Sequence, residues 1–379
     1  MGVQRPSDWQ EIAAGIDALD GVELDGLLVG ELERRETLDA EPIRDVRFHV
    51  PTFKAYATSE LANCGTSAWP AVSITGGECK LACDHCQAKI LEPMIPARTP
   101  QELWRVVNEQ AARGARGMLL SGGSNHRNEV EYGSFYATLR RVKDAFPDFR
   151  IALHTALVDR DIARHMEASG VDVAMMDVIG AQDTVSQVYH LRRSVTDFER
   201  SLECLVATSM KVVPHIVVGL HYGRLLGEWH ALEIVARHRP DALVLVVVMP
   251  MYAPQHRPFV TPDAVAVGRF FLDARRTLPR LPLMLGCARP AGIARAQIDA
   301  YAVMAGLNGI AHPADGMVEL AVRLGRSVSV SPACCSIAVG EEVLAGGDGV
   351  RIDPSQVIEF ERGRPHARGR LAQIPIVAA

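Results

Sequence analysis

From residue 71 to residue 310 the chain repeats one pattern: a short run of aliphatic and β-branched residues, then a stretch with helical spacing. The runs are 71–75, 117–121, 150–154, 171–176, 211–218, 242–248, 281–286 and 306–310. Residues 242–248 are apolar throughout, which is how a strand buried on both faces of a parallel sheet reads. The helices announce their starts. Thr99, Pro100 and Glu102 make a capping box with proline in the first turn, and Leu103, Val106 and Val107 form the apolar face. Thr196 with Glu199 reads as a second box, and Thr261-Pro262 opens a further helix that reaches about residue 277. Helices are also expected over 132–146, 159–169, 228–237 and 293–304. Eight strands alternating with helices over about 250 residues is the period of an α/β (βα)8 TIM-type barrel. A partial, six-strand barrel with the last two units appended is the alternative.

That barrel is expected over 69–326, with an N-terminal extension (1–68) and a C-terminal extension (327–379) expected to cover the barrel mouth. In the first extension, 8–28 has mixed helical spacing broken by Gly21 and Gly26. Residues 40–47 read as irregular or a short helix, and 48–53 as a strand or extended packing segment. The 379 residues, 48% apolar and 22% charged, suffice for one such barrel with extensions. A formal charge of -5 leaves no footprint for nucleic acid. No apolar run approaches the ~18 residues of a membrane span. Residues 1–6 lack the apolar core of an export signal, so a cytoplasmic location is expected. In that reducing compartment eight cysteines, three of them clustered, read as ligands rather than disulfides.

The clustered three are Cys79, Cys83 and Cys86, spaced C-x3-C-x2-C immediately after the first strand. No second C-x2-C or H-x3-5-H pair follows to complete a structural zinc site. An iron–sulfur cluster on three thiolates, with one iron left for another ligand, fits the count better.

The spacing resembles the signature of the radical S-adenosylmethionine (radical SAM) superfamily. The resemblance implies a [4Fe-4S] cluster held by Cys79, Cys83 and Cys86, and SAM chelated at the open iron. It further implies reductive cleavage of SAM to a 5′-deoxyadenosyl radical that activates a C–H bond. An aromatic residue usually precedes the last cysteine; here it is His85. Barrel active sites lie at the C-terminal ends of strands. There the sequence offers Ser121-Gly122-Gly123-Ser124 after the second strand, His154 after the third and Asp177 after the fourth, with Arg192 and Arg193 beyond. In the family a Gly-Gly-Glu turn at the second strand receives the SAM ammonium group; Ser124 stands where the acid would be. His154 is equally readable as a ligand-facing or a merely satisfied histidine. Gly219 and His221, in Gly219-Leu220-His221-Tyr222-Gly223, resemble the segment that packs on adenine and ribose. Cys287 and Arg289, two apart at the end of the seventh strand, are expected to point together into the mouth. Arg289 is given a catalytic role on its resemblance to the biotin synthase group, which Ala305-Gly306-Leu307-Asn308-Gly309-Ile310 also resembles.

The remaining cysteines decide the finer expectation. Cys204 lies among Leu202, Leu205 and Val206 and reads as a core thiol. Cys64, Cys287, Cys334 and Cys335 are the candidates for a second iron–sulfur cluster; the alternative is that Cys334-Cys335 are small buried residues. Sulfur-inserting relatives, biotin synthase and lipoyl synthase, use such a cluster as sulfur donor. The nearest resemblance is to a component of the two-protein lipoyl synthase system. It implies an octanoyl chain on a carrier protein (or a small-molecule substrate), a ferredoxin- or flavodoxin-type reductant, and a partner radical SAM protein. The rival expectations are biotin-synthase-like sulfur insertion elsewhere, a radical SAM mutase or lyase without a second cluster, and a metal-cluster scaffold with no SAM chemistry.

Overall fold

All eight runs form strands. In the computed structural model, residues 8–38, 44–51, 56–61, 69–337 and 350–351 are described. In chain order the strands are β1 (Asp45–His49), β2 (Ala71–Ser73), β3 (Ile95–Pro96), β4 (Gly117–Ser121), β5 (Arg150–His154) and β6 (Val173–Asp177). They continue with β7 (Lys211–Val218), β8 (Leu243–Val247), β9 (Leu283–Leu285), β10 (Gly309–Ala311), β11 (Ser327–Ser331) and β12 (Val350–Arg351). They make one sheet in the order β12-β11-β1-β10-β9-β8-β7-β6-β5-β4-β2-β3. Eleven strands run parallel, and β12 pairs antiparallel with β11. The architecture is TIM-like and curled, but the eight expected strands do not close on themselves.

The cause is the N-terminal extension. β10, the eighth expected strand, pairs with β1 rather than β2, setting Phe48 opposite Ile310. β11 then adds to the far side of β1 through Val46–Val328 and Phe48–Val330. Residues 45–47, expected to be irregular or a short helix, are therefore strand, and both extensions supply sheet. Boundaries at 68/69 and 326/327 cut through it.

The helices follow their caps, with two shifts. Thr99 accepts from the Glu102 backbone amide and Glu102 reaches back to the Thr99 amide, as expected. The helix expected from Thr196 instead spans Val195–Val206 and is capped by Ser194 with Asp197. The Asp197 carboxylate takes the Ser194 amide at 2.7 Å, while Glu199 is drawn to Arg237 and His238 on the next helix. The helix expected from Thr261 starts at Ala264, where Asp263 accepts the Ala266 amide at 2.8 Å. A cap of this kind is worth about 1 kcal/mol, enough to fix a boundary within one turn.

Strand alternation sorts the core into two layers. Outward residues such as Ala174, Met176, Val212 and Leu245 pack under the helices with the fully buried Phe270 and Phe271. Burying each phenylalanine contributes roughly 1.5–3 kcal/mol. Inward residues Val173, Met175, Val213, Val244, Met284 and Ala311 form a second apolar cluster with Trp69, Cys335 and Ile337. The last two belong to a 3-10 turn, Cys335–Ile337, that meets β6, β9 and β10. The start of the C-terminal extension thus turns into the inside of the curl; most of the rest of that extension lies outside the described residues.

Candidate active site

The cysteine loop leaves β2 and is stitched to the turn after β4. The Ile74 amide donates to the Ser121 carbonyl at 2.9 Å, and the Lys80 amide to the Ser124 carbonyl at 2.9 Å. Thr75 Oγ1 accepts the Gly123 amide at 2.7 Å and donates to the Glu78 carbonyl at 2.8 Å. Cys79 Sγ lies 3.8 Å from the Ser124 carbonyl oxygen. Gly123 is where this packing is tightest, since a Cβ there would stand 1.9 Å from the Glu78 oxygen. Ser121 and Gly123 are therefore stitched to the loop that carries the cysteines, while Gly122 packs on Ile74 and Val130. Ser124 contributes through its backbone.

The three sulfurs share one loop but not one environment. Cys83 is buried and Cys79 and Cys86 are half-buried. Burial pushes the Cys83 thiol well up and the Cys86 thiol to about 11, each also raised by its sister cysteines. Buried thiols of this kind ionise only against a compensating cation. None of the three is in a disulfide. His85, between them, tilts against Tyr189 at 5.0 Å between ring centres, and burial lowers it to about 4. Its buried Nδ1 has no protein partner. A soft three-thiolate set beside an unmatched ring nitrogen fits an iron–sulfur cluster.

Asp84 faces the other way. Its buried carboxylate accepts from His190 Nε2 at 2.9 Å, Arg257 Nη1 at 2.9 Å and the Tyr222 hydroxyl at 3.1 Å. Burial works against its charge, but those three donors outweigh it and hold the carboxyl below its usual range.

Past the loop, the strand ends supply a half-buried polar group. His154 ends β5 and Asp177 ends β6, with Nε2 and Oδ1 3.7 Å apart. His215, opposite Asp177 in the β6–β7 register, meets His154 edge-on at 5.4 Å. The Tyr189 hydroxyl donates to the second Asp177 oxygen at 3.4 Å. Burial opposes the Asp177 charge, yet the His154 contact and the nearby His215 and His85 lower it to about 2. Burial likewise opposes charge on His154, but Asp177 raises it; at His215 desolvation and the neighbouring His154 outweigh Asp177 and the Val213 carbonyl, and the ring falls to about 4. His154 is thus partnered and inward-facing. His215 escaped the sequence reading because it lies mid-strand; alternation from Val213 was the available signal.

Gly219 takes a positive φ of 78° while its amide donates to Glu228. His221 Nδ1 stands 3.2 Å from Thr184 Oγ1. Arg193 pairs with Glu129, and Arg192 is exposed.

Arg289 requires a correction. β9 ends at Leu285, so strand alternation no longer governs Cys287 and Arg289. The Arg289 side chain is 1% exposed and bound bidentately to Asp299, at 2.6 and 2.9 Å, and to the Gly286 and His312 carbonyls. It braces the loop after β9 and does not point into the mouth.

Cys334 and Cys335 lie inside the curl. Ser336 Oγ donates to Cys334 Sγ at 3.1 Å. Hydrogen bonding from Cys335 lowers the Cys334 thiol, with His154 nearby adding to this, while Cys335 is pushed up by Cys334, burial and Cys287. Cys287 and Cys334 both pack on the inner apolar cluster. Among the described residues, no three His, Cys, Asp or Glu side chains converge as ligands of a single metal ion. Cys64 lies outside the described residues. Cys204 is half-buried on its helix, as a thiol packed at the core edge.

A family model described as the radical SAM superfamily matches residues 73–224, which hold the cysteine loop, the Gly-Gly turn, His154, Asp177 and His215. Over residues 73–224 the chain is similar to a radical SAM domain. Members of that family bind a [4Fe-4S] cluster and SAM, and the thiol set above suits both. Among solved structures the chain is similar to HydG, a maturase of the [FeFe]-hydrogenase: TM-score 0.55, 12% identity, 94% of this chain and 80% of that chain covered. A second HydG, from Carboxydothermus hydrogenoformans, gives TM-score 0.50 and 13% identity, covering 85% of this chain and 80% of that one. Methylornithine synthase (PylB) gives 0.47 and 12%, covering 82% and 87%. At these identities the likeness is one of fold. No curated protein matches the chain. Among the described residues no helix is long and apolar enough to cross a membrane.

Proposed function

We propose that this radical SAM enzyme uses its radical for sulfur insertion, with Cys287, Cys334 and Cys335 serving a second iron–sulfur centre. The observation that carries the proposal is the inward turn at Cys335–Ile337, which sets thiols inside the curl beside His154. An apolar core needs no adjacent pair of cysteines there, and Ser336 and His154 hold one of them toward the thiolate form that a metal takes.

In this reading Cys79, Cys83 and Cys86 hold the [4Fe-4S] cluster, and the Ser121–Gly123 turn, packed against the cysteine loop, offers backbone groups to the amino end of SAM. When bound, and given one electron by the reductant, cluster and SAM would supply a 5′-deoxyadenosyl radical with release of methionine. The protein orients the reactants and excludes water. Asp177 stays ionised and hydrogen-bonded, suited to hydroxyl or ammonium groups of the bound ligand, and His154 presents a proton beside it. Gly219 and His221 line the rim after β7, where adenine would stack. The substrate in this reading is lipoyl-type, an octanoyl chain on a carrier protein, whose apolar chain suits the apolar inner face that carries Met175, Val213, Val244 and Met284. A partner radical SAM protein and a ferredoxin- or flavodoxin-type reductant belong to the same proposal, and the cytoplasm is its setting.

Iron and sulfide counts on anaerobically reconstituted protein test it. About seven or eight of each per chain, falling to about four in Cys334→Ala/Cys335→Ala, is the expected result. About four in the unmodified chain would overturn it. That outcome would favour the second reading, a radical SAM mutase or lyase.

A further inference from the structure

Asp84 sits between two cluster ligands, yet its partners come from three separate rim loops. His190 follows β6, Tyr222 follows β7, and Arg257 follows β8. The Asp84 side chain is 5% exposed and that of Arg257 45% exposed, so the ion pair joins a buried group of the cysteine loop to an outer loop. Arg257 Nη1 also lies 3.2 Å from His190 Nε2. The outer loop, 249–262, is fixed on its inner side: Phe259 packs on Tyr222 at 5.0 Å, and the Val260 amide donates to the Tyr222 carbonyl at 3.2 Å. Its other side carries Met251 and Val260, 78% and 59% exposed. Nothing else among the described residues neutralises Asp84 with a permanent positive charge.

We propose that Asp84 and Arg257 form a latch through which seating of the 249–262 loop positions the Cys83–Cys86 turn and tunes the metal centre held there. When the loop is seated, Arg257 offsets a buried negative charge next to the cluster. When it lifts, that charge remains, and adding an electron to the cluster becomes harder, because net charge near a cluster sets its potential. Reduction is thereby favoured when the mouth is covered. Asp84 is a positioning residue in this scheme. The inference rests on the radical SAM domain and is independent of sulfur insertion.

The test uses Arg257→Ala, Arg257→Lys and Tyr222→Phe in the full chain. The midpoint potential of the reconstituted cluster is read by EPR-monitored titration, and chymotryptic cleavage at Tyr252 or Phe259 is read on the metal-free chain. Arg257→Ala is expected to shift the potential to more negative values and to speed cleavage, Arg257→Lys to restore most of both, and Tyr222→Phe to give a smaller shift of the same sign. An unmoved potential in Arg257→Ala, with or without faster cleavage, overturns the latch. Failure of the unmodified chain to hold any cluster would instead strike at the domain reading, leaving the cleavage comparison to judge the loop contact.

Discussion

Gly123 and Cys79 are in backbone contact: a Cβ on Gly123 would lie 2.6 Å from Cys79 Cα and 2.8 Å from its Cβ. The turn after β4 therefore sets where the first cluster ligand can be.

Gly123→Ala should displace the cysteine loop while leaving every thiol in place. A displacement of about 1 Å at a reacting centre costs on the order of 100-fold, and a loss of that order in SAM cleavage is expected. Ser124→Ala is the control: only its backbone carbonyl is used, so its activity should match the unmodified protein. Equal activities for the two variants would contradict the packing argument.

Arg289→Met tests the reassignment of that residue. Breaking a buried ion pair by removing one partner costs about 3–5 kcal/mol, so urea denaturation should show a loss of that size from the buried, uncompensated Asp299 charge left behind. Iron content per folded chain should be unchanged. A stable variant that binds SAM poorly would return Arg289 to the mouth.

His49 gives a pH dependence. Burial lowers it from 6.5 to about 3, although its Nδ1 lies 3.1 Å from the Ala333 carbonyl oxygen. A histidine with a depressed folded pKa stabilises the fold fully above pH 6.5 and loses that contribution as pH falls toward 3. The slope is about 1.4 kcal/mol per pH unit for one proton. His85 and His215 act with the same sign and His154 with the opposite one. The difference between the unmodified chain and His49→Asn isolates the one group. Metal-free chains titrated from pH 7 to 4.5 should diverge by about one proton's slope; parallel curves would place the charge change elsewhere.

Much of the scaffold was legible because parallel strands covered on both faces are continuous apolar runs, as at 242–248. β1 and β11 were harder: Asp45-Val46-Arg47-Phe48-His49 and Ser327-Val328-Ser329-Val330-Ser331 carry one apolar residue in two. Their alternation was the signal, and weighing it would have revealed that the barrel does not close. The cysteines were legible from spacing alone. Asp84 was not, because spacing says nothing of a residue between ligands, and its donors lie 106 to 173 residues away. Arg289 was misread by extending strand geometry beyond the strand.

The most direct test of the central claim is the product of SAM. Reconstituted protein incubated with SAM and a strong reductant should release 5′-deoxyadenosine and methionine, and Cys83→Ala should release none. No 5′-deoxyadenosine from protein that has bound about four irons would contradict the assignment of Cys79, Cys83 and Cys86 as the centre of a radical SAM enzyme.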